Sequence, residues 1–289
     1  MIPANFEYHR PATLAEALTL LSTHADDAKL LAGGHSLVPV MKFRLAQPKH
    51  LVDISRIRDL RYIREDGNVI AIGAMATHHD IEASDLLKSK LPLLPEAAKV
   101  IGDVQVRNKG TLGGSLAHAD PAADWPASIL ALDAQLKVNG SNGSRIIGAT
   151  DFFVGMMATA LQPNELLTEI RIAALEKETG TAYEKFAQKA SGFAIAGVAA
   201  VITADAKGNC SRARIGVTGV TAKPFRATAV ERALEGKPLD SRTIADAVAH
   251  TTEGQDPLGD IHASAEFRAH LAKVNAKRAI ERAWKRREK

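Results

Sequence analysis

Two short glycine pairs constrain this chain more than any other feature. One lies in Ala32-Gly33-Gly34-His35-Ser36 and the other in Thr111-Leu112-Gly113-Gly114-Ser115. Each follows an apolar run, and each Gly-Gly is followed within one residue by Ser-Leu. Glycine tolerates positive φ and lets backbone approach another group closely. A row of backbone N–H groups exposed in that way forms an anion-binding concavity. Two such rows predict two turns closing on one diphosphate; two ordinary tight turns are the other reading, since Gly-Gly is a common loop signal.

The surrounding elements show where these pairs sit. Thr13-Leu14-Ala15-Glu16 is a capping box, and Leu14, Leu18 and Leu21 mark one apolar helical face after it. Lys29 to Ala32 reads as a strand entering the first glycine pair, Leu37 to Leu45 as a short amphipathic stretch broken by Pro39, and His50 to Ile54 as another strand. These make a βαβ-like unit over residues 1–56. A second unit, 57–175, opens with a strand at Asn68–Gly73 and a helix cap at Thr77-His78-His79-Asp80. A helix from Leu91 to Ile101 is ended by Gly102-Asp103, and Val104 to Lys109 then leads to the second glycine pair. A small-residue helix at Ala127–Leu132 and strands at Ala134–Val138, Arg145–Ile147 and Leu166–Ile172 follow. The charged linker Glu176–Gly180 separates a third unit, 180–289. It has strand-like runs at Tyr183–Gln188, Ile195–Thr203 and Ala213–Val220, then helices at Ala227–Leu234, Thr243–His250 and from Ala265 onward. Strands followed by helices predict α+β packing, with the helices on one face of an antiparallel sheet.

Several function classes are excluded or disfavoured. No Gly-x-Gly-x-x-Gly follows a strand, and no P-loop lysine pattern occurs, so neither the dinucleotide fold built on a helix N-terminus nor NTP hydrolysis is supported. Cys210 is the single cysteine, which rules out an intrachain disulfide, a four-cysteine iron–sulfur cluster and a thiolate-based zinc site. No stretch reaches the roughly 20 apolar residues needed to span a bilayer. The start, Met1 to Phe6, lacks the layout of a secretion signal, so a cytoplasmic location is expected. Net charge is +4, but eight Lys or Arg and only two Glu lie from Lys273 onward, so the rest of the chain is slightly acidic. That basic tail reads as a solvated helix end whose cations complement the helix dipole, rather than as a nucleic-acid surface.

One His and two Asp cluster in His118-Ala119-Asp120-Pro121-Ala122-Ala123-Asp124. No further ligands gather around them in the sequence, so no metal site is expected. Asp120 reads as a helix cap ahead of Pro121, and Asp124 as an acceptor for ribose hydroxyls.

Together, the Ala-Gly-Gly-His-Ser-Leu-Val-Pro run and the Thr-Leu-Gly-Gly-Ser-Leu-Ala-His-Ala-Asp-Pro-Ala-Ala-Asp run resemble the FAD-binding medium subunit of the molybdenum hydroxylases, the family that includes aerobic carbon monoxide dehydrogenase and xanthine dehydrogenase. The resemblance covers roughly residues 1 to 285. It implies a two-part FAD-binding domain of the vanillyl-alcohol-oxidase type over 1–175 and a C-terminal flavoprotein domain with a small antiparallel sheet and helices over 180–289. It implies pyrophosphate loops at Ala32, Gly33, Gly34, His35 and Ser36 and at Thr111, Leu112, Gly113, Gly114 and Ser115. Ile101 and Leu167 correspond to apolar contacts near the flavin, Asp124 to the ribose contact, Lys185 to a lysine before the second C-terminal strand, and Phe193 to an aromatic residue near the ring. His35 stands either to donate to a phosphate or to cap its turn. Partners implied are an iron–sulfur small subunit and a molybdenum-cofactor large subunit in a dimer of heterotrimers, with NAD or a quinone-type acceptor. No acid or base on this chain is required, because the flavin carries the redox chemistry. The alternative is a stand-alone FAD-dependent NAD(P)H reductase of the same fold.

Overall fold

A computed structural model describes residues 1–287. Three sheets organise it. The first is parallel, with His50–Asp53 between Glu7–His9 and Ala28–Leu31. The helix Leu14–His24 makes the crossover, starting where Thr13 accepts a hydrogen bond from the Glu16 N–H at 3.2 Å. Ala17 and Leu21 bury against Val52, Ile54 and Met75 to form a small core.

The second sheet is five-stranded and antiparallel, in the order Ile63–Asp66, Val69–Gly73, Leu166–Ala173, Gln135–Gly140, Gly143–Gly148. Helices His78–Ala83, Leu93–Lys99, Leu112–His118 and Trp125–Ala131 share a core with it that contains Trp125, Phe152, Leu94 and Ile129.

The third sheet is antiparallel: Thr179–Ala187, Ala194–Ala204, Cys210–Thr218, Phe225–Arg226. Helices Thr228–Leu234, Ser241–Val248 and Ala265–Arg286 belong to its core. The strand Ala194–Ala204 is buried at every position but its last. From Ala196 to Ile202 its buried side chains divide by parity. Ala196, Val198, Ala200 and Ile202 enter the core with Ala272, Ala276 and Ile280 of the long helix, while Ala199 and Val201 enter the core of the preceding unit. Alternate residues of a strand point to opposite faces, so this sheet is covered on both.

The unit's own three helices thus lie on one face, as expected, and the helix Trp125–Ala131, from the second unit, packs on the other. Contact is close because Gly216 has no side chain; a Cβ there would lie 2.0 Å from the Ala127 carbonyl oxygen. Some boundaries shift. The helix expected over 91–101 is Leu93–Lys99, starting after Pro92 and stopping at Val100. Val104–Arg107, unassigned from sequence, is one helical turn capped by Asp103, whose carboxylate accepts from the Val106 N–H at 2.8 Å. The strand Ile63–Asp66 and the hairpin of Phe153–Gly155 with Ala158–Thr159 were not legible, being short and largely exposed or glycine-broken.

Lys273, Arg278 and Lys285 of the basic tail are exposed, as expected of a solvated helix end, while other cations of the long helix hold its neighbours. Arg268 donates to the carbonyls of Ile195 and Gly219 and to Asp260, Arg282 pairs with Glu96 and Glu184, and Arg286 pairs with Glu96. Glu288 and Lys289 of that tail lie outside the described residues.

Gly216→Ala is expected to lower stability by about 1–3 kcal/mol, since a methyl group would be forced onto backbone. Gly259→Ala serves as control: its nearest neighbour is 3.5 Å away. Urea midpoints of the two variants check this, and equal midpoints would contradict the packing described.

Candidate functional site

The strand Ala28–Leu31 delivers Ala32–Ser36 to the carboxyl end of the parallel sheet, the end where ligands of such sheets bind. Gly34 has φ +76°, a value only glycine adopts freely, and its carbonyl accepts from the Val38 N–H at 3.0 Å to open the turn of helix Leu37–Lys42. Among the described residues, no acceptor faces the N–H groups of Gly33, Gly34, His35 or Ser36, and the Ser36 hydroxyl makes no capping bond. Four consecutive donors thus point away from the protein's own acceptors. His35 is exposed in this turn.

The second pair departs from the expected turn. Gly113 and Gly114 lie inside the helix Leu112–His118 with ordinary helical backbone. Its N–H groups are already used. Leu112 donates to the Ala76 carbonyl and Gly113 to the Ala74 carbonyl, each at 2.9 Å, Gly114 donates to Thr111 Oγ1 at 3.1 Å, and Ser115 to the Thr111 carbonyl at 3.0 Å. The expectation of two exposed N–H rows is therefore corrected to one. What the second pair supplies is space. A Cβ on Gly113 would lie 2.5 Å from the Ala74 Cβ, and one on Gly114 would lie 2.6 Å from Thr111 Oγ1 and 3.3 Å from the Ala32 Cβ.

The two segments meet backbone to backbone. A Cβ on Gly33 would lie 2.1 Å from the Lys109 carbonyl oxygen and 2.8 Å from the Gly110 Cα. Beneath this contact sits His78, which the sequence marked only as part of a helix cap. Its N–H donates to the Gly110 carbonyl at 2.9 Å, and a Cβ on Gly110 would lie 2.6 Å from its Nε2. Trp125 Nε1 donates to His78 Nδ1 at 3.0 Å. Indole N–H is a donor only, so Nδ1 is unprotonated and the imidazole is neutral with its hydrogen on Nε2. Burial, with the nearby His35 and Arg107, pushes the His78 pKa from 6.5 down to about 4.

Asp124 and Lys185 close the far side. Lys185 Nζ lies 2.8 Å from Asp124 Oδ2 and donates to the Val100 carbonyl at 3.0 Å, while Tyr183 donates its hydroxyl to Asp124 Oδ1 at 2.6 Å. Both charged side chains are 5% exposed. Burial pushes the Asp124 carboxyl up, and the Lys185 ammonium and Tyr183 hydroxyl oppose it. The latch joins the first C-terminal strand to the segments beside Ile101 and the glycine helix. Ile101 is half-buried, its carbonyl accepting from Arg107 at 3.2 Å. A Cβ on Gly192 would lie 3.7 Å from the Gly102 Cα, so the exposed Phe193 loop runs beside it. Leu167 is buried in the second core, at a bulge of its strand.

Residues 118–124 are not gathered as ligands. Asp120 accepts from the Ala122 N–H at 2.8 Å in a tight turn, correcting its reading as a helix cap, and Thr218 holds the Pro121 and Ala123 carbonyls. The helix begins later, at Trp125, and Asp124 at its N-cap makes no capping bond because its carboxylate is spent on Lys185 and Tyr183.

Lys185→Met is expected to cost about 3–5 kcal/mol in urea denaturation by stranding the Asp124 charge; a loss under about 1 kcal/mol would show the latch to be incidental. His78 sets a pH dependence of known sign. The folded state refuses a proton that the unfolded chain accepts between pH 6.5 and about 4, so stability is complete above that window and falls within it. The drop attributable to His78 is at most about 3 kcal/mol. His78→Asn, which keeps an acceptor for Trp125, is expected to flatten that part of the stability profile.

Comparison with known proteins agrees with this geometry. Residues 4–174 match the family described as the FAD binding domain in molybdopterin dehydrogenase, and residues 181–283 match the CO dehydrogenase flavoprotein C-terminal domain. The chain is 43% identical over 286 residues to the carbon monoxide dehydrogenase medium chain of Hydrogenophaga pseudoflava, covering 99% of each. It is 39% identical to the 6-hydroxypseudooxynicotine dehydrogenase complex subunit alpha of Paenarthrobacter nicotinovorans, covering 99% of this chain and 97% of that one. A solved carbon monoxide dehydrogenase from Hydrogenophaga pseudoflava, lacking the Mo-pyranopterin moiety of its molybdenum cofactor, superposes with a TM-score of 0.96 at 44% identity over 99% of each chain. The α+β chain with its free N–H row at Gly33–Ser36 therefore belongs to the FAD-binding medium-subunit family of the molybdenum hydroxylases, as an oxidoreductase subunit whose cofactor is FAD.

Proposed function

We propose that this chain passes electrons from an iron–sulfur small subunit through FAD to NAD or a quinone-type acceptor, with a molybdenum-cofactor large subunit oxidising the substrate. The assembly is a dimer of heterotrimers in the cytoplasm. In this reading residues 1–175 form the FAD-binding domain, with subdomains at about 1–56 and 57–175, and 180–289 the C-terminal flavoprotein domain. The observation that carries it is the row of unclaimed N–H donors at Gly33–Ser36, clasped by Lys109–Gly110. Such a row neutralises a diphosphate without a lysine.

When bound, FAD supplies the exchange between single electrons and electron pairs. The protein's part is positional. Gly33, Gly34, His35 and Ser36 offer backbone N–H groups to the diphosphate, and the Ser36 hydroxyl adds a donor. Thr111 and Ser115 contribute hydroxyls from the facing helix, while Leu112, Gly113 and Gly114 set how near that helix comes to Ala32. Ile101 and Leu167 give apolar walls, and Phe193 stands on the loop beside Ile101. The Asp124 carboxylate, oriented by Tyr183 and Lys185, is the acceptor for ribose hydroxyls. The unlike substrates named for its relatives fit a chain that never touches substrate: specificity belongs to the large subunit.

No helix among the described residues is long and apolar enough to cross a membrane. Arg282 and Arg286 of the basic tail are held in internal ion pairs, and its remaining cations read as a solvated helix face rather than a nucleic-acid surface.

The purified chain is expected to bind one FAD, with the absorption of an oxidised flavin. Gly33→Ala drives a methyl group into the Lys109 carbonyl and is expected to weaken FAD at least tenfold in a fluorescence titration, while Gly259→Ala leaves it unchanged. Anaerobic addition of NADH, then of a quinol, to the FAD-loaded chain distinguishes the acceptors by which one bleaches the flavin. Co-purification with iron–sulfur and molybdenum subunits is expected; steady turnover by the isolated chain with NAD(P)H would instead indicate a stand-alone reductase.

A further inference from the structure

Three histidines far apart in sequence meet at the edge of the parallel sheet. His9 ends the strand Glu7–His9, His24 ends the helix Leu14–His24, and His50 begins the strand His50–Asp53. Each offers a ring nitrogen, and the three lie within 4.8 Å of one another. The rings of His24 and His50 stack at 3.6 Å between centroids, and His9 is 5.3 Å from each. Glu7 joins them because the parallel register sets it opposite His50, while residues two apart on a strand share a face with it and with His9.

The distances have the scale of a coordination shell. Zinc–nitrogen bonds of about 2.0–2.1 Å place tetrahedral ligand atoms about 3.3–3.4 Å apart. His9 Nε2 is 3.1 Å from His50 Nδ1, Glu7 Oε2 is 3.5 Å from His50 Nδ1, and the same oxygen is 3.9 Å from His9 Nε2. These three atoms already outline one face of such a tetrahedron. His24 offers a ring nitrogen within 4.8 Å of those of His9 and His50, and completes the shell by turning its ring out of the stack on His50. Its position adds an electrostatic reason, because the last turn of a helix carries the negative end of the dipole and favours a cation.

We propose that His9, His24 and His50, with Glu7 as the fourth ligand, form a structural site for a borderline divalent cation, Zn²⁺ above all. Imidazole and carboxylate suit this ion, and four protein ligands leave no open position for catalysis. The site fastens a three-residue edge strand and the end of the crossover helix to the central strand of the sheet. It is remote from the flavin chemistry in a specific sense. His50 aligns with Glu7 and Ala28 at one end of the parallel sheet, whereas the glycine loop leaves from Leu31, opposite Asp53, at the other. Sequence reading passed over it because each histidine stands alone in its own element.

The test uses the untagged full chain loaded with FAD. After chelator treatment and dialysis against Zn²⁺, elemental analysis is expected to find one zinc per chain. X-ray absorption at the zinc edge is expected to show three imidazoles and one oxygen at about 2.0–2.1 Å. The variants H9Q, H24Q and H50Q are each expected to weaken zinc at least tenfold with FAD content unchanged. Zinc is also expected to raise the melting temperature of the native chain and not that of the triple variant. Substoichiometric zinc, zinc held equally by the triple variant, or a first shell without imidazole would each overturn the proposal. Because the absorption spectrum is measured on the native chain, it decides the matter even where a variant fails to fold.

Discussion

The approach of Gly33 to the Lys109–Gly110 backbone is the contact on which the site depends. No side chain fits there: even a methyl group would sit 2.1 Å from a carbonyl oxygen. The constraint acts in both directions. It keeps the loop after the first parallel sheet from closing on its own acceptors, so four N–H groups stay available. It also holds the glycine helix at a fixed distance, with Gly114 against Ala32 and Gly113 against Ala74. Underneath, a neutral His78 ties Gly110 to Trp125 and so to the second core. The proposed diphosphate cradle is made rigid by what surrounds it, because its own donors cannot be spent on holding it together.

The same logic governs how the C-terminal sheet is attached. One short helix, Trp125–Ala131, ties the third sheet to the second core, inserting Trp125 and Ile129 there and lying on Gly216 of the sheet. At its N-terminus Asp124 gives up the usual capping role and turns its carboxylate to Lys185 and Tyr183. A buried ion pair is weak evidence for stability, since desolvation offsets most of its attraction. Its worth here is geometric: Lys185 reaches Val100 and Asp124 together, and so fixes the seam between the sheets at the residues that flank Ile101.

Much of this was legible in the sequence, for identifiable reasons. Long apolar runs such as Ile195–Thr203 and a strong cap such as Thr13 report elements locally, and both hold. The glycine pairs were marked as a candidate site, and the second was misread as an exposed turn. Sequence shows that glycine is present, and not whether its freedom serves φ, as at Gly34, or proximity, as at Gly113. His78 and Tyr183 were passed over because their role depends on partners 47 and 59 residues away. Asp120 was read as a cap because Pro121 follows it, yet the chain needs a turn there to bring Pro121 and Ala123 onto Thr218.

The long C-terminal helix divides its cations between solvent and the interior. Lys273, Arg278 and Lys285 lie on the solvent face, whereas the cations on the packed side find carboxylates and carbonyls within reach. Arg268 is buried and holds two carbonyls at the ends of neighbouring strands, and Arg282 and Arg286 converge on Glu96 of the second unit. Glu96 also accepts from the Tyr183 N–H at 3.2 Å. The charges at the end of the chain therefore steady the strand that carries Tyr183 and Lys185, and through it the carboxylate of Asp124. Part of that helix's positive charge is thus internal frame, and the rest faces solvent.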